Sequence, residues 1–151
     1  MDIETFWRLI AEILRHSPGL SDREAFLRDR LAAFQPGDIV QFQMHLDKAR
    51  ESAYSWDLWG AAMRIIGGWC SDDGFEYFRL WLIGKGRDAF ERTVAQPDAL
   101  GELPEIQCLV GRHRRTWDDD KVWPEWESLD YLASQAYGRA VGDNDDCAED
   151  F

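Results

Sequence analysis

Cysteine is scarce in this sequence and poorly placed for cross-linking. Cys70, Cys108 and Cys147 are the only three. An odd number at wide spacing, with no CxxC pair, excludes a disulfide framework and provides no four-ligand zinc pattern. It points to a reducing compartment. Basic residues are the second shortage: 17 Lys and Arg face 29 Asp and Glu, for a net charge of −12. The only local basic run, Arg112-His113-Arg114-Arg115, is followed at once by Asp118, Asp119 and Asp120. Nucleic-acid backbone binding and anionic-membrane binding both need clustered cations, so neither is expected. Long apolar runs are missing too. Nothing approaches the roughly 20 residues of a membrane span, and the start, Met1-Asp2-Ile3-Glu4, has no basic or apolar leader. The cytoplasm is the expected location. There is no alternating stretch long enough for a strand, no internal repeat and no glycine-rich phosphate loop.

What remains is rich in core-forming residues. The chain is 45% hydrophobic, with eight Trp and eight Phe in 151 residues. That composition suits one domain with a real core. Apolar residues recur at helical spacing almost throughout. Residues 2–15 place Ile3, Phe6, Trp7, Ile10 and Leu14 on one face. Ser21 and Glu24 read as a capping box opening a second helix, and Asp38 with Gln41 as a pair opening a third. A fourth helix is expected over 55–66 and a fifth from Asp72 or Asp73 to Ile83, with Asp73 and Glu76 as its capping box. Both look apolar nearly all round and are therefore predicted to be buried. Shorter helices follow over 87–95 and 105–115, with one turn at 98–100, and a last helix covers 125–141. The expected fold is an all-α single domain of about seven helices over residues 1–141, built around the two buried central helices. Residues 142–151 are expected to be a disordered acidic tail.

Polar groups that could do chemistry concentrate between Tyr54 and Ile83. Asp57 and Arg64 lie two turns apart on one stripe, with Gly60 and Ala61 between them. Small residues there let another helix, or a small ligand, approach closely; helix packing is the commoner use. Asp72 and Asp73 could hold a cation or act as a base, or simply favour a helix start. Arg79, on a helix with little polar surface, is expected to pair with Asp57, Asp72 or Asp73. Cys70 and Ser71 would need a base to act as nucleophiles, and His16, His45 and His113 are all distant in sequence. Asp118-Asp119-Asp120 lacks the ligand spacing of a calcium loop and reads as a solvated turn. The Trp residues around it, Trp117, Trp123 and Trp126, either anchor a partner or fold onto the core.

The joint pattern Tyr54-x-Trp56-Asp57-Leu58-Trp59-x-Ala61-Ala62, then Gly68-x-Cys70-Ser71-Asp72-Asp73-x-Phe75-x-Tyr77-Phe78-Arg79-x-Trp81-Leu82-Ile83-x-x-Gly86, resembles the bacterial domain-of-unknown-function 4240 family. Phe6-Trp7-x-x-Ile10 and Pro97-Asp98-x-Leu100 fit as well, and the resemblance extends over residues 1–140. It implies a small helical bacterial cytoplasmic domain and carries no activity, substrate or catalytic residue. Two functions are therefore weighed. One is a non-catalytic interaction or regulatory module whose partner is another protein, with the acidic tail and the Trp-rich loop as its surfaces. The alternative is a small-molecule or metal-binding enzyme with a carboxylate/Arg site between the fourth and fifth helices. The candidate ligand or motif site comprises Trp56, Asp57, Trp59, Ser71, Asp72, Asp73, Tyr77, Arg79 and Trp81. No cofactor or metal is expected, and no catalytic residue is assigned.

Overall fold

The computed structural model describes residues 1–16, 19–68, 70–113, 116–117 and 123–142. Expectations that fall on the acidic tail beyond Gly142, on Cys147, on Arg114 and Arg115, and on Asp118-Asp119-Asp120 lie outside the described residues. The described chain is all-α. Its helices are α1 (Ile3–His16), α2 (Leu20–Ala32), α3 (Pro36–Ser52), α4 (Trp56–Ile66), α5 (Asp72–Ile83), α6 (Arg87–Ala95), α7 (Pro104–Gln107) and α8 (Leu132–Val141). Two 3-10 helices, Pro97–Glu102 and Glu127–Tyr131, precede α7 and α8. None of the described helices is long and apolar enough to cross a membrane.

The chain divides into two units, Met1–Ala49 with Ser128–Phe151, and Arg50–Glu127. In the first, Phe6, Leu9, Ile10 and Ile13 of α1, Leu27 and Leu31 of α2, and Ile39, Phe42 and Leu46 of α3 are buried. Leu132, Ala133 and Ala136 of α8 are buried too. At the rim, Arg139 pairs with Asp29 at 2.9 Å and Arg28 donates to Gln135 at 3.3 Å. The start of α1 is held by Asp2, whose carboxylate accepts from the Thr5 N–H at 2.8 Å; hydrogen bonding to the Thr5 side chain, then this backbone bond, lowers the Asp2 pKa. His45 is a structural contact, with Nε2 3.2 Å from the Met1 carbonyl oxygen and its ring beside Phe6.

The structure corrects two expected helix starts here. α2 begins at Leu20 with Gly19 as N-cap and no side-chain cap bond. Ser21 is thus already inside the helix, and Glu24 instead accepts from the Ser128 hydroxyl. α3 begins at Pro36 rather than at Asp38. Proline at the first helical position loses no hydrogen bond and its fixed φ suits the helix. Asp38 pairs with the Met1 amino group.

In the second unit, α5 is the most buried element: Phe75, Phe78, Arg79, Leu80, Trp81, Leu82 and Ile83 are all inside. α4 differs from expectation. It buries one face, Leu58, Ala62 and Ile66, while Trp56, Asp57 and Arg64 stand on the outside. Its N-cap is Ser55, which accepts from the Leu58 N–H at 3.2 Å. It ends at Gly67, whose φ of 95° is a left-handed value that glycine adopts without steric cost. The helix expected over 105–115 stops at Gln107. Three-residue turns follow, with Leu109 N–H bonded to Ile106 and Val110 N–H to Gln107, before Gly111 reverses the chain at φ 77°. The last helix is broken as well, a 3-10 segment preceding α8.

Candidate functional site

Most of the sequence-predicted site residues turn out to hold the second unit together. Ser71 caps α5, its hydroxyl accepting from the Gly74 N–H at 3.1 Å. Asp73 is therefore not the cap. It sits with Asp72 in the first turn, where carboxylates favour the positive end of the helix dipole. Both are exposed. Glu76, the expected box partner, pairs instead with Arg50 at 2.8 Å.

Arg79 reaches none of Asp57, Asp72 or Asp73. It is 7% exposed, and it donates through Nη1 to the Arg50 carbonyl at 2.8 Å. That carbonyl belongs to the last turn of α3, where backbone acceptors lack helical partners. The guanidinium lies 5.1 Å from the Tyr54 ring centroid and 5.0 Å from that of Phe75. Its Nε is buried without a partner among the described residues. Burial pulls the Arg79 pKa down from its ordinary value, the Glu76 charge works against that, and the Arg50 charge adds to it. The residue is a cation sandwiched by aromatics and used as a helix cap.

The aromatic residues form one ladder. Trp56 stacks on Trp59 at 5.3 Å and 3°, and Trp59 on Phe75 at 5.0 Å and 8°. Phe75 continues to Phe78 and Phe78 to Trp81. Tyr54 meets both Trp59 and Phe75 obliquely. Trp59 Nε1 donates to the Cys70 carbonyl at 3.1 Å, tying α4 to the start of α5. Tyr77 donates to Glu127 at 3.1 Å, and its carbonyl accepts from the Trp126 N–H at 3.1 Å. Trp81 is buried, with the Lys85 ammonium 4.7 Å above its ring. Cys70 is buried, and burial followed by the Glu125 charge pushes its thiol pKa up. That shift disfavours the thiolate a nucleophile requires.

One rung of the ladder leaves the core. Trp56 is 78% exposed, although its ring is held flat on Trp59. Beside it lies a groove of about 600 Å³ lined by Trp56, Asp57, Gly60, Ala61 and Arg64 of α4 and by Gln96, Pro97 and Asp98 across from them. The small-residue stripe of α4 faces this groove. Neither Asp57, Arg64, Gln96 nor Asp98 makes a side-chain hydrogen bond or ion pair with the described residues. The spacing along α4 reveals the stripe and favours helix packing there, but the opposite wall of Gln96, Pro97 and Asp98 is not visible in it. The Pro97-Asp98 pair was the one signal that pointed there. The Trp-rich loop goes the other way: Trp117 and Trp126 are buried, and Trp117 packs edge-on against Trp123 at 4.8 Å. Among the described residues, no group of three or more His, Cys, Asp or Glu is placed to hold a metal ion.

The described chain is an all-α domain whose polar motif largely serves its own scaffold. The chain belongs to the family described as "Protein of unknown function (DUF4240)", whose model matches residues 1–139. Neither a curated protein nor a solved structure matches it.

Proposed function

We propose that this chain is a bacterial cytoplasmic, single-domain, non-catalytic module that binds another protein through the Trp56 groove. The observation that carries this reading is Trp56 itself. A large indole exposed on a helix, yet immobilised by stacking, presents an anchor that loses little freedom on binding. The groove beside it has a volume within the roughly 300–1,000 Å³ of ligand sites. Further support comes from the motif's would-be reactive groups: Ser71, Arg79, Tyr77, Trp59 and Cys70 are occupied in caps, stacks and backbone bonds. Free Cys70 and Cys108 suit a reducing compartment.

The test is a photo-crosslinking amino acid placed at position 96, where Gln96 lines the groove across from Trp56, and, as a control, at position 110, where Val110 is exposed. The full chain is expressed in its native host and irradiated. A single adduct of defined mass from position 96 alone, abolished by Trp56→Ala or when the groove floor is filled by Ala61→Trp, is the expected result. The same adducts from both positions, or none from position 96, would overturn the reading.

A further inference from the structure

The groove's charges specify what kind of segment it takes. In the second unit, the described basic side chains are engaged almost without exception. Arg50 pairs with Glu76, Lys85 with Glu105, Arg87 with Glu91 and Arg92 with Glu102. Arg79 and Arg112 donate to the carbonyls of Arg50 and Thr116. Arg64 is the exception among these described Lys and Arg residues. Arg64 is exposed and has no acceptor among the described residues, although the groove also holds Asp57 and Asp98.

Along α4 the groove is polar in the directional sense. Trp56 and Asp57 stand at the start of the helix, and Arg64 in its last turn. Seven residues of helix separate Asp57 from Arg64 by about 10.5 Å. The Trp56 face and the Asp57 carboxylate together suit a cation, through the ring quadrupole and charge. The Arg64 fork suits a carboxylate. An occupant must therefore carry both signs about that far apart. A free amino acid is too short. An extended peptide in the polyproline-II conformation advances about 3.1 Å per residue with three residues per turn, so charges three residues apart lie on one face about 9 Å apart and match the spacing. Gly60 and Ala61 between the charged ends let its backbone lie close to the helix.

The geometry points to an extended partner segment carrying Lys or Arg at one position and Asp or Glu three residues away, its basic side chain on Trp56 and Asp57 and its acidic one on Arg64. This rests on the interaction reading above and specifies the partner's chemistry.

The test uses the ¹⁵N-labelled full chain and four blocked tetrapeptides at millimolar concentration. Two carry both charges in opposite order, acetyl-Arg-Ala-Ala-Glu-amide and acetyl-Glu-Ala-Ala-Arg-amide. One replaces the acid by Gln, and one has no charge. One of the doubly charged peptides is expected to shift the Trp56 indole N–H and the Gly60 and Ala61 amides saturably. Replacing its Glu by Gln weakens binding about tenfold, the scale of one charge-assisted contact. In the Arg64→Gln chain, intact and Gln-substituted peptides bind equally weakly. Trp56→Ala removes binding to all four. Unchanged melting temperatures for both variants confirm that the fold is intact. Equal binding of the uncharged peptide, binding insensitive to Arg64, or no shift with any peptide would overturn this assignment. A defined crosslink at position 96 alongside such a failure would remove the charge pattern and leave the interaction reading standing; loss of both would remove both.

Discussion

At the level of single residues, the start of α5 separates two roles that look alike in sequence. Ser71 supplies a hydrogen bond to a helical N–H that would otherwise lack one. Asp72 and Asp73 supply only charge near the helix terminus, and neither has a partner among the described side chains. Ser71→Ala is expected to cost about 1 kcal/mol in urea unfolding, whatever the salt. The Asp72→Asn, Asp73→Asn double variant is expected to cost less than the cap and to converge on wild type as salt is added, because interactions at an exposed helix end are screened. A large, salt-independent loss in the double variant would mean that these carboxylates are held by a buried cation after all. Arg79 is not that cation among the described contacts: its Nη1 donates to the Arg50 carbonyl and no ion pair joins it to Asp72 or Asp73.

At the level of elements, α5 ends where another segment comes closest. Gly84 follows α5 with an ordinary right-handed φ of −60°, so its missing side chain serves packing, not backbone freedom. A Cβ there would lie 2.6 Å from the Trp126 ring and 3.1 Å from the Trp81 carbonyl oxygen. Trp126 is buried and its own N–H is bonded to Tyr77, so the ring cannot swing away cheaply. Gly84→Ala should therefore destabilise by about 1–3 kcal/mol, as overpacking does, even though alanine favours helix. Calorimetry against wild type would show it; a rise in melting temperature would mean that the Trp126 segment yields.

Helices α1, α4, α5 and α6 were legible because apolar spacing and a terminating glycine or proline agree there. The caps of α2, α3 and α5 were not. Several Ser and Asp residues offer the same spacing, and only backbone geometry decides which one stands outside the helix. Nor could composition say which tryptophan of the Trp56/Trp59 pair faces in. Three residues apart, both fall near the α4 seam, and Trp59 is turned inward by Phe75 and the Cys70 carbonyl, which periodicity does not see. The stripe from Asp57 to Arg64 was visible in sequence, but its opposite wall at Gln96–Pro97–Asp98 is more than thirty residues away and depends on how the 3-10 turn packs.

For the molecule as a whole, pH acts through surface charge and through a few enclosed groups, and the two can be told apart. A net charge of −12 makes self-repulsion grow as carboxylates ionise. Glu125 adds a separate effect. Burial, then the neighbouring Glu127 charge, raises its pKa above the ordinary 4.5 of a glutamate. The folded state thus binds the Glu125 proton more tightly than the unfolded state does. By linkage, this group's contribution to stability is present below 4.5 and is lost as pH rises through the raised folded value. Glu125→Gln should remove that loss. The variant's melting temperature is expected to match wild type below pH 4.5 and to exceed it at neutral pH, with the gap opening across the interval above 4.5. Added salt screens surface repulsion but much less the desolvation of a half-buried carboxyl, so the gap should persist at high salt. The Cys70 thiol gives a second readout. The Glu125 charge is one cause of its raised pKa, so the variant's native thiol should titrate lower and react faster with a thiol reagent at alkaline pH. A gap that closes in salt, with no change at Cys70, would assign the pH dependence to general acidic repulsion and would leave Glu125 an ordinary surface carboxylate.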